Sequence, residues 1–526
     1  MKKICIRTIA FMLVMCSTLS FAGCRKSPTT YSYYVSDGEV AVDSNNTGDG
    51  TGNDASGDSA SGTSGGSTSG GSTSGGSGGS TGGSGASANG KTTVKVAISS
   101  QRPTDVAPLL DAVAEKYPNI KVQVDYYSAP NSQEYIAAKS TSGQLPDLVF
   151  DDIANLPLFI GQGLVYPITK YVNADADYKY VPSNIMKDYT YGGEVYALPH
   201  QAYFTCVTLN LDALNKLNVD TPALDWNFDD LVTFAKATSN NEYCFAERLF
   251  YLDYYAAGSY SSTAGICGYN ASNRSFKMTD SLAKSWKLFR TLRQTPNVEA
   301  WSLRLTDNYK KRFGSGDEWA ATKLGKTIMM DFEKGTYSKD YYEELLANCK
   351  WTFHPYPQAI KGRMPIHIDH AFMLADTKVP DEAFKVLSFM TYSREGNLAR
   401  LNAYTDKAKG KTKYKLNLDY YTPTTSHPDV VAATKKLFAG DDVQLYMYNN
   451  IGNCFRGDPD KIYPSFGQMW ADVINPVSMK VQDGAKDPDA SAKDLEAKAT
   501  KALKVYWDDF DKKLAKVQAE WKANHK

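Results

Sequence analysis

Val94, Val96 and Ile98 recur at every second position after a long polar stretch. A period of two is the mark of a half-buried strand. The period then changes. Val106, Leu109, Leu110, Val113 and Tyr117 share one helical face, with Thr104 or Asp105 placed to cap and Pro108 in the first turn. Pro118 ends that helix. Ile120, Val122 and Val124 predict a second strand, the stretch from Tyr135 to Ser142 a helix, and Leu145-Pro146-Asp147-Leu148-Val149-Phe150 a third strand. Strands separated by helices pair in parallel through right-handed crossovers, and ligands bind at their carboxyl ends. That rule puts Ser100-Gln101-Arg102 and Asp151-Asp152 at a candidate site. Helices dominate further on. One starts at Asn227, a plausible cap, and the last carries Leu495, Ala499, Ala502, Leu503, Tyr506, Phe510, Leu514 and Val517 on its apolar face. No internal repeat is visible.

The N-terminal pattern is different. Lys2, Lys3 and Arg7 precede a mostly apolar run from Ile9 to Phe21, and the small residues Ala22-Gly23 follow. This is the three-part layout of a secretory signal peptide, expected over residues 1–23. Leu19-Ser20-Phe21-Ala22-Gly23-Cys24 resembles the lipobox of bacterial lipoproteins, although Phe21 stands where an aliphatic residue is usual. The resemblance implies acylation of Cys24, and several acyl chains on one residue hold a protein at a bilayer far better than one. From Asp43 to Gly90 the only apolar residues are alanines. Such a segment buries too little to offset its ordering entropy, so residues 24–90 are expected to form a tether spanning roughly 45 Å root-mean-square. Gly85, Gly90, Lys91 and Thr92 fit a phosphate-loop pattern. That loop needs a strand before it and a helix after it; here the order is coil then strand, so the match is read as chance.

Composition narrows the function. Lys and Arg together number 58, as do Asp and Glu, so no basic excess points to nucleic acid. Cys206, Cys244, Cys267, Cys349 and Cys454 are scattered and odd in number, which predicts buried thiols or at most one or two disulfides. No C-x-x-C pair suggests structural zinc. The 35 tyrosines, 21 phenylalanines and 8 tryptophans are the informative excess. Aromatic rings suit ligands with apolar faces and polar rims, as sugars have.

Several ordered segments carry a family resemblance. They are Glu115-Lys116-Tyr117-Pro118-Asn119-Ile120; Leu145-Pro146-Asp147-Leu148-Val149 followed by Gly163-Leu164-Val165-Tyr166-Pro167-Ile168; Tyr191-Gly192-Gly193-Glu194-Val195-Tyr196-Ala197-Leu198-Pro199; Gly325-Lys326-Thr327-Ile328-Met329-Met330; and Pro380-Asp381-Glu382-Ala383-Phe384. Together they resemble extracellular solute-binding protein family 1, the maltose-binding type of substrate-binding lipoprotein that serves ABC importers. The resemblance implies an α/β, two-lobe periplasmic-binding-protein-like fold of type II, with a ligand cleft between the lobes. It implies one lobe from about 91–200 plus 357–420 and another from 203–353 plus 425–526. Crossings are expected near Pro199-His200, Phe353-His354-Pro355 and Tyr421-Thr422-Pro423.

The same resemblance implies the cleft residues. Arg102 follows strand one and offers a fixed fork of donors. Asp151 and Asp152 follow strand three, where carboxylates accept hydroxyls. His200 and Tyr203 lie just past a hinge-like segment. Phe332 and Glu333 follow the Thr327 strand, and His370 sits in His367-Ile368-Asp369-His370. Trp470 lies in a helix like the one that brings an aromatic platform to the sugar. Two histidines with one aspartate fall short of the three or four convergent ligands a metal needs, so neither metal nor cofactor is expected.

The expected function is capture of a carbohydrate and its delivery to the permease of an ABC importer. The protein is expected to act as a monomer, lipid-anchored on the outer face of a bacterial cell membrane. The alternatives are a peptide, polyamine or sugar phosphate on the same scaffold, or a surface glycosidase. Hydrolysis needs two carboxyls facing each other about 5–10 Å apart, which adjacent Asp151 and Asp152 rarely achieve, and no H-E-x-x-H or G-x-S-x-G motif occurs.

Overall fold

The computed structural model describes residues 90–99, 105–127, 132–151, 155–304, 307–332, 335, 339–416 and 421–525. A six-stranded sheet and two adjoining two-stranded ladders, together the second sheet, organise this region. Their strands are β1 (Thr92–Ser99), β2 (Ile120–Tyr127), β3 (Leu148–Asp151), β4 (Leu198–Phe204), β5 (Cys206–Asn210), β6 (Cys244–Ala246), β7 (Thr327–Met329), β8 (Trp351–Pro355), β9 (Pro365–Met373) and β10 (Phe455–Arg456).

The opening βαβ pattern is realised. β1 pairs in parallel with β2 and with β3, and the helix Ala107–Lys116 connects β1 to β2. That helix starts one or two residues later than the capping residues suggested. Val106 occupies the cap position without a side-chain hydrogen bond, and Pro108 supplies the fixed φ of the first turn. β3 pairs antiparallel with β9, and β9 pairs antiparallel with β4 and in parallel with β10. A register shift between Asp369 and His370 bulges β9, which re-aims neighbouring side chains.

In the second sheet β5 pairs antiparallel with β8, and β6 in parallel with β7. The two pairs join through side chains. Asn210 Nδ2 donates to the Thr327 carbonyl at 3.0 Å, and the Met330 amide donates to Thr208 Oγ1 at 3.3 Å. The chain passes from the first sheet to the second within one extended run, at Thr205 between β4 and β5. The Thr205 amide donates to the Pro365 carbonyl at the start of β9.

Helix starts follow local chemistry. Asn227 accepts from the Asp229 and Asp230 amides, and Asp230 bonds back to the Asn227 amide, a complete capping box for Phe228–Thr238. The last helix, Pro488–Asn524, is capped by Asp487. Its first half buries Ala492, Leu495, Ala499 and Leu503 and packs on the helix Leu282–Arg293. Its second half reaches the segment that follows β3: Phe510 meets Tyr191 edge-on at 5.4 Å and Trp521 meets Tyr166 at 4.5 Å. Gly192, at φ +56°, lies beneath it, and a Cβ there would fall 2.8 Å from Gln518. Glycine is the residue that serves both the backbone and the approach.

All five downstream cysteines are free thiols. Cys206, Cys244 and Cys267 are buried, and Cys349 and Cys454 half-buried. They act as the small hydrophobes that their scatter suggested.

Candidate solute-binding site

The second sheet presents the carboxyl ends of two parallel strands on one side. β7 is followed by Met330, Asp331 and Phe332, and β6 by Glu247, Arg248, Leu249 and Phe250. The isolated bridge from Thr205 to Gly335 places the β7 end beside the crossing into the first sheet. This end therefore faces the junction of the two sheets.

Aromatic rings gather there. Phe250 lies 4.2 Å from Tyr251, Tyr251 lies 6.1 Å from Trp470, and Tyr254 meets Trp470 edge-on at 5.6 Å. Tyr254 continues to Tyr255 at 5.2 Å, and Tyr255 to His367 of β9 at 6.3 Å. The cluster thus runs from an exposed end at Phe250, 51% accessible, down to the first sheet. Two backbone features hold it. Tyr251 sits at φ +61°, a left-handed conformation unusual for a bulky residue. Trp470 opens a π-helical turn, Trp470–Ile474. Such turns and such strained residues concentrate at functional sites.

Asp253 anchors this arrangement from below. It is buried and accepts from Trp286 Nε1 and Gln482 Nε2, both at 2.9 Å. Burial raises its pKa against those hydrogen bonds. The bonds tie the helix Leu252–Ser259, capped by Tyr251, to Leu282–Arg293 and to the helix Asn475–Gln482, which continues from Trp470.

On the first-sheet side, a buried charge network joins β9 to the segment after β10. Arg456 donates to Asp458 at 2.7 Å, to the Tyr189 hydroxyl at 3.0 Å and to the Ile368 carbonyl at 3.2 Å. Lys461 stands 3.0 Å from Asp369 and 3.2 Å from Asp458. Asp458 also accepts the Ile368 amide at 3.1 Å. Burial opposes ionisation of Asp458, yet Arg456 and Lys461 hold its carboxyl well below the usual range. Asp188, 3.6 Å from Arg456, is instead pushed up to about 6 by burial. A cavity of about 340 Å³ opens beside the network, lined by Asp188, Tyr269, Arg363, Ile368, Arg456 and Tyr463 among others.

Residues 109–407 match the family of bacterial extracellular solute-binding proteins. The chain belongs to that family. Solved structures share the fold of this solute-binding protein at low identity. The ABC substrate-binding protein Lmo0181 from Listeria monocytogenes, in complex with cycloalternan, is 15% identical. It gives a TM-score of 0.56 over 78% of this chain and 99% of its own. The GacH receptor of Streptomyces glaucescens, solved unliganded and with acarbose, is 14% identical. Its TM-score is 0.55 over 79% of this chain and 100% of its own. The sugar-binding protein MalE from Xanthomonas citri is 14% identical, with a TM-score of 0.56 over 83% and 100%. A search of curated proteins found no match. The two-lobe α/β architecture expected from the sequence is therefore the fold of this chain.

The structure distributes the residues expected in the cleft of this solute-binding protein. Trp470 stands at the centre of the aromatic cluster. Phe332 is fully buried at the end of β7 and meets Tyr356 edge-on at 5.9 Å. Tyr203 packs with Leu401, Tyr404 and Tyr421 in a separate core. His200 is enclosed, its ring nitrogens 3.2 Å from the Met390 carbonyl and 3.3 Å from Arg400. Asp151 ends β3 opposite His370. Arg102, Asp152, Glu333 and Cys24 lie outside the described residues, as do the signal segment and all but the last residue of the tether.

Sequence reasoning missed Phe250, Tyr251, Tyr254 and Tyr255. The signal was four aromatics in six residues, Phe250 to Tyr255. Among the described residues, no group of three His, Cys, Asp or Glu converges to hold a metal, and no helix is long and apolar enough to cross a membrane.

His370 is fully buried between Tyr189 and Phe372. Burial drives its pKa down to about 3. The folded value lies below the ordinary one near 6.5. Its contribution to stability is therefore full above pH 6.5 and lost as the pH falls toward 3. His370→Phe is expected to change stability little at pH 7. At pH 4 it should gain about 3 kcal/mol over the parent, from 1.36 kcal/mol per pH unit. Urea melts of both proteins at the two pH values measure this, and equal acid sensitivity would contradict a neutral buried imidazole.

Proposed function

We propose that this solute-binding protein captures a carbohydrate and hands it to the permease of an ABC importer. The aromatic cluster around Trp470, at the junction of the two sheets, is the observation that carries the reading. Rings of this kind offer flat apolar area beside hydroxyl donors, which matches the alternating faces and rims of sugars. The neighbours named for cycloalternan, acarbose and sugar binding favour the same class.

The ligand lies between a lobe built from 91–200 and 357–420 and a lobe built from 203–353 and 425–526. Hinge motion closes the two around it. Trp470, Tyr251 and Tyr254 stack on the sugar. Arg102, Asp151, Asp152 and Glu333 supply hydrogen bonds from strand ends, with His200, Tyr203, Phe332 and His370 supporting the walls. The chain is exported by its first 23 residues, acylated at Cys24 and held outside the membrane by the tether, acting as a monomer that binds without transforming its cargo.

A ligand that binds only the folded state raises its melting temperature by mass action. Sugars screened against the purified chain, beside peptides and polyamines, are expected to give the shifts. Saturation at a hundred times Kd stabilises by about 2.7 kcal/mol. Shifts with peptides or polyamines alone would replace the cargo, and release of product from an oligosaccharide would overturn the non-catalytic role.

A further inference from the structure

The aromatic cluster does not end at Phe250. Two residues earlier, Arg248 lies 3.9 Å from the ring of Trp301 and 4.7 Å from that of Trp319. Arg304 covers Trp301 as well, at 4.3 Å. Trp301 thus carries two guanidinium groups. The position of this stack follows from the sheet. β6 ends at Ala246, the Trp301 amide donates to the Glu247 carbonyl at 2.9 Å, and Ala246 bridges to Glu299. The stack therefore stands at the same strand ends as Phe250 and Tyr251, on the side of β6 away from β7.

The named carboxylates at this rim are already engaged. Glu318 is paired with Arg248. Asp317 is held by Lys323 at 3.3 Å and by the Trp319 amide at 2.9 Å. Glu299, buried, takes Arg293 at 2.9 Å and the Leu249 amide. Glu247, also buried, accepts from Tyr309 and Thr322 instead. Asp317 feels the Arg304 charge, but among the described residues Arg304 stands in no ion pair. It is exposed, yet its stack on Trp301 holds the planar fork in one orientation, so less freedom is lost when it binds. A fixed, unpaired guanidinium beside a line of sugar-sized rings matches a carboxylate, which it takes through two parallel hydrogen bonds.

We infer that Arg304 on Trp301 forms an outer subsite for an acidic sugar, so that the cargo is an oligosaccharide bearing a uronate. This rests on the carbohydrate reading of the Trp470 cluster. Arg248 is the positioning residue: it packs on the same Trp301 ring at 3.9 Å and is itself paired with Glu318.

The test pairs oligogalacturonates and oligoglucuronates with their uncharged counterparts of equal length, titrated calorimetrically into the full chain. At low salt the acidic member of one pair is expected to bind at least about tenfold tighter, within the range of a hydrogen bond to a charged group. Raising the salt should shrink that ratio, because an exposed charge is screened. Arg304→Gln should abolish the ratio while leaving the neutral member's affinity within about twofold, and Arg304→Lys should keep only part of it. Equal or weaker binding of the acidic member in every pair would overturn the subsite alone, as would an unchanged ratio in Arg304→Gln. Silence with every glycan would overturn both the subsite and the carbohydrate reading.

Discussion

Asp458→Asn is expected to destabilise the protein by about 3–5 kcal/mol at pH 7, among the largest losses from any single isosteric change in this chain. The side chain receives Arg456 at 2.7 Å, Lys461 at 3.2 Å and the Ile368 amide at 3.1 Å. Removing its charge leaves two buried cations with fewer partners. Arg456 would retain Asp188, and Lys461 would retain Asp369. Asp188 is a poor substitute, because burial already pushes its pKa up to about 6. The pH dependence separates this from a packing defect. The Asp458 pKa is depressed in the folded protein, so its contribution is full above the ordinary carboxylate value of about 3.9 and is lost only as the pH falls below it toward the depressed folded value. Chemical denaturation should show the full deficit at pH 7, nearly the same deficit at pH 4 and a clearly smaller one near pH 2. A constant deficit would mean that shape, not charge, is what the site requires. A loss under about 1 kcal/mol would mean that water reaches the network.

That network also shows why part of this molecule was hidden in its sequence. Arg456, Asp458 and Lys461 occur as an ordinary mixed-charge run, which reads as a solvated surface. They are buried because β10 pairs with β9 at Pro365 and Ile366, a contact across about 90 positions. No local pattern announces it. By contrast, β1, β2 and β3 were legible because each is a short apolar period bounded by its own breakers, and the Asn227 cap because both halves of the box lie within four residues. Trp470 was singled out through resemblance, while its neighbours Tyr251 and Tyr254 were not. A period-based reading looks for helical or strand spacing. Tyr251 is the left-handed cap of the helix Leu252–Ser259, and that helix is buried on nearly every side, so no amphipathic period marks it. His200 and Tyr203 were sought beside a hinge, yet the alternation of β4 turns Tyr203 toward Tyr421 and the helix Arg394–Ala408. Strand neighbours face opposite sides, so a sequence position near a crossing fixes proximity but not direction.

Trp470→Ala is expected to weaken carbohydrate binding by about 2 kcal/mol or more, roughly 30-fold, the scale of a central aromatic anchor. Trp470 is only partly buried and its ring is placed by Tyr251 at 6.1 Å and Tyr254 at 5.6 Å. Truncation therefore removes a stacking surface and loosens its two neighbours. The loss of stability should be smaller than for a fully enclosed tryptophan such as Trp286, where about 3–5 kcal/mol is usual. Trp470→Phe keeps an aromatic face and should recover most of the affinity, whereas Trp470→Leu, similar in hydrophobicity but without the flat ring, should not. Calorimetric titration beside a thermal melt for each variant distinguishes the cases. Affinity falling in the order Trp, Phe, Leu, Ala, at a nearly constant melting temperature, would place the ring against the ligand. Affinity tracking melting temperature across the series would make Trp470 a packing residue and move the sugar platform elsewhere along the cleft.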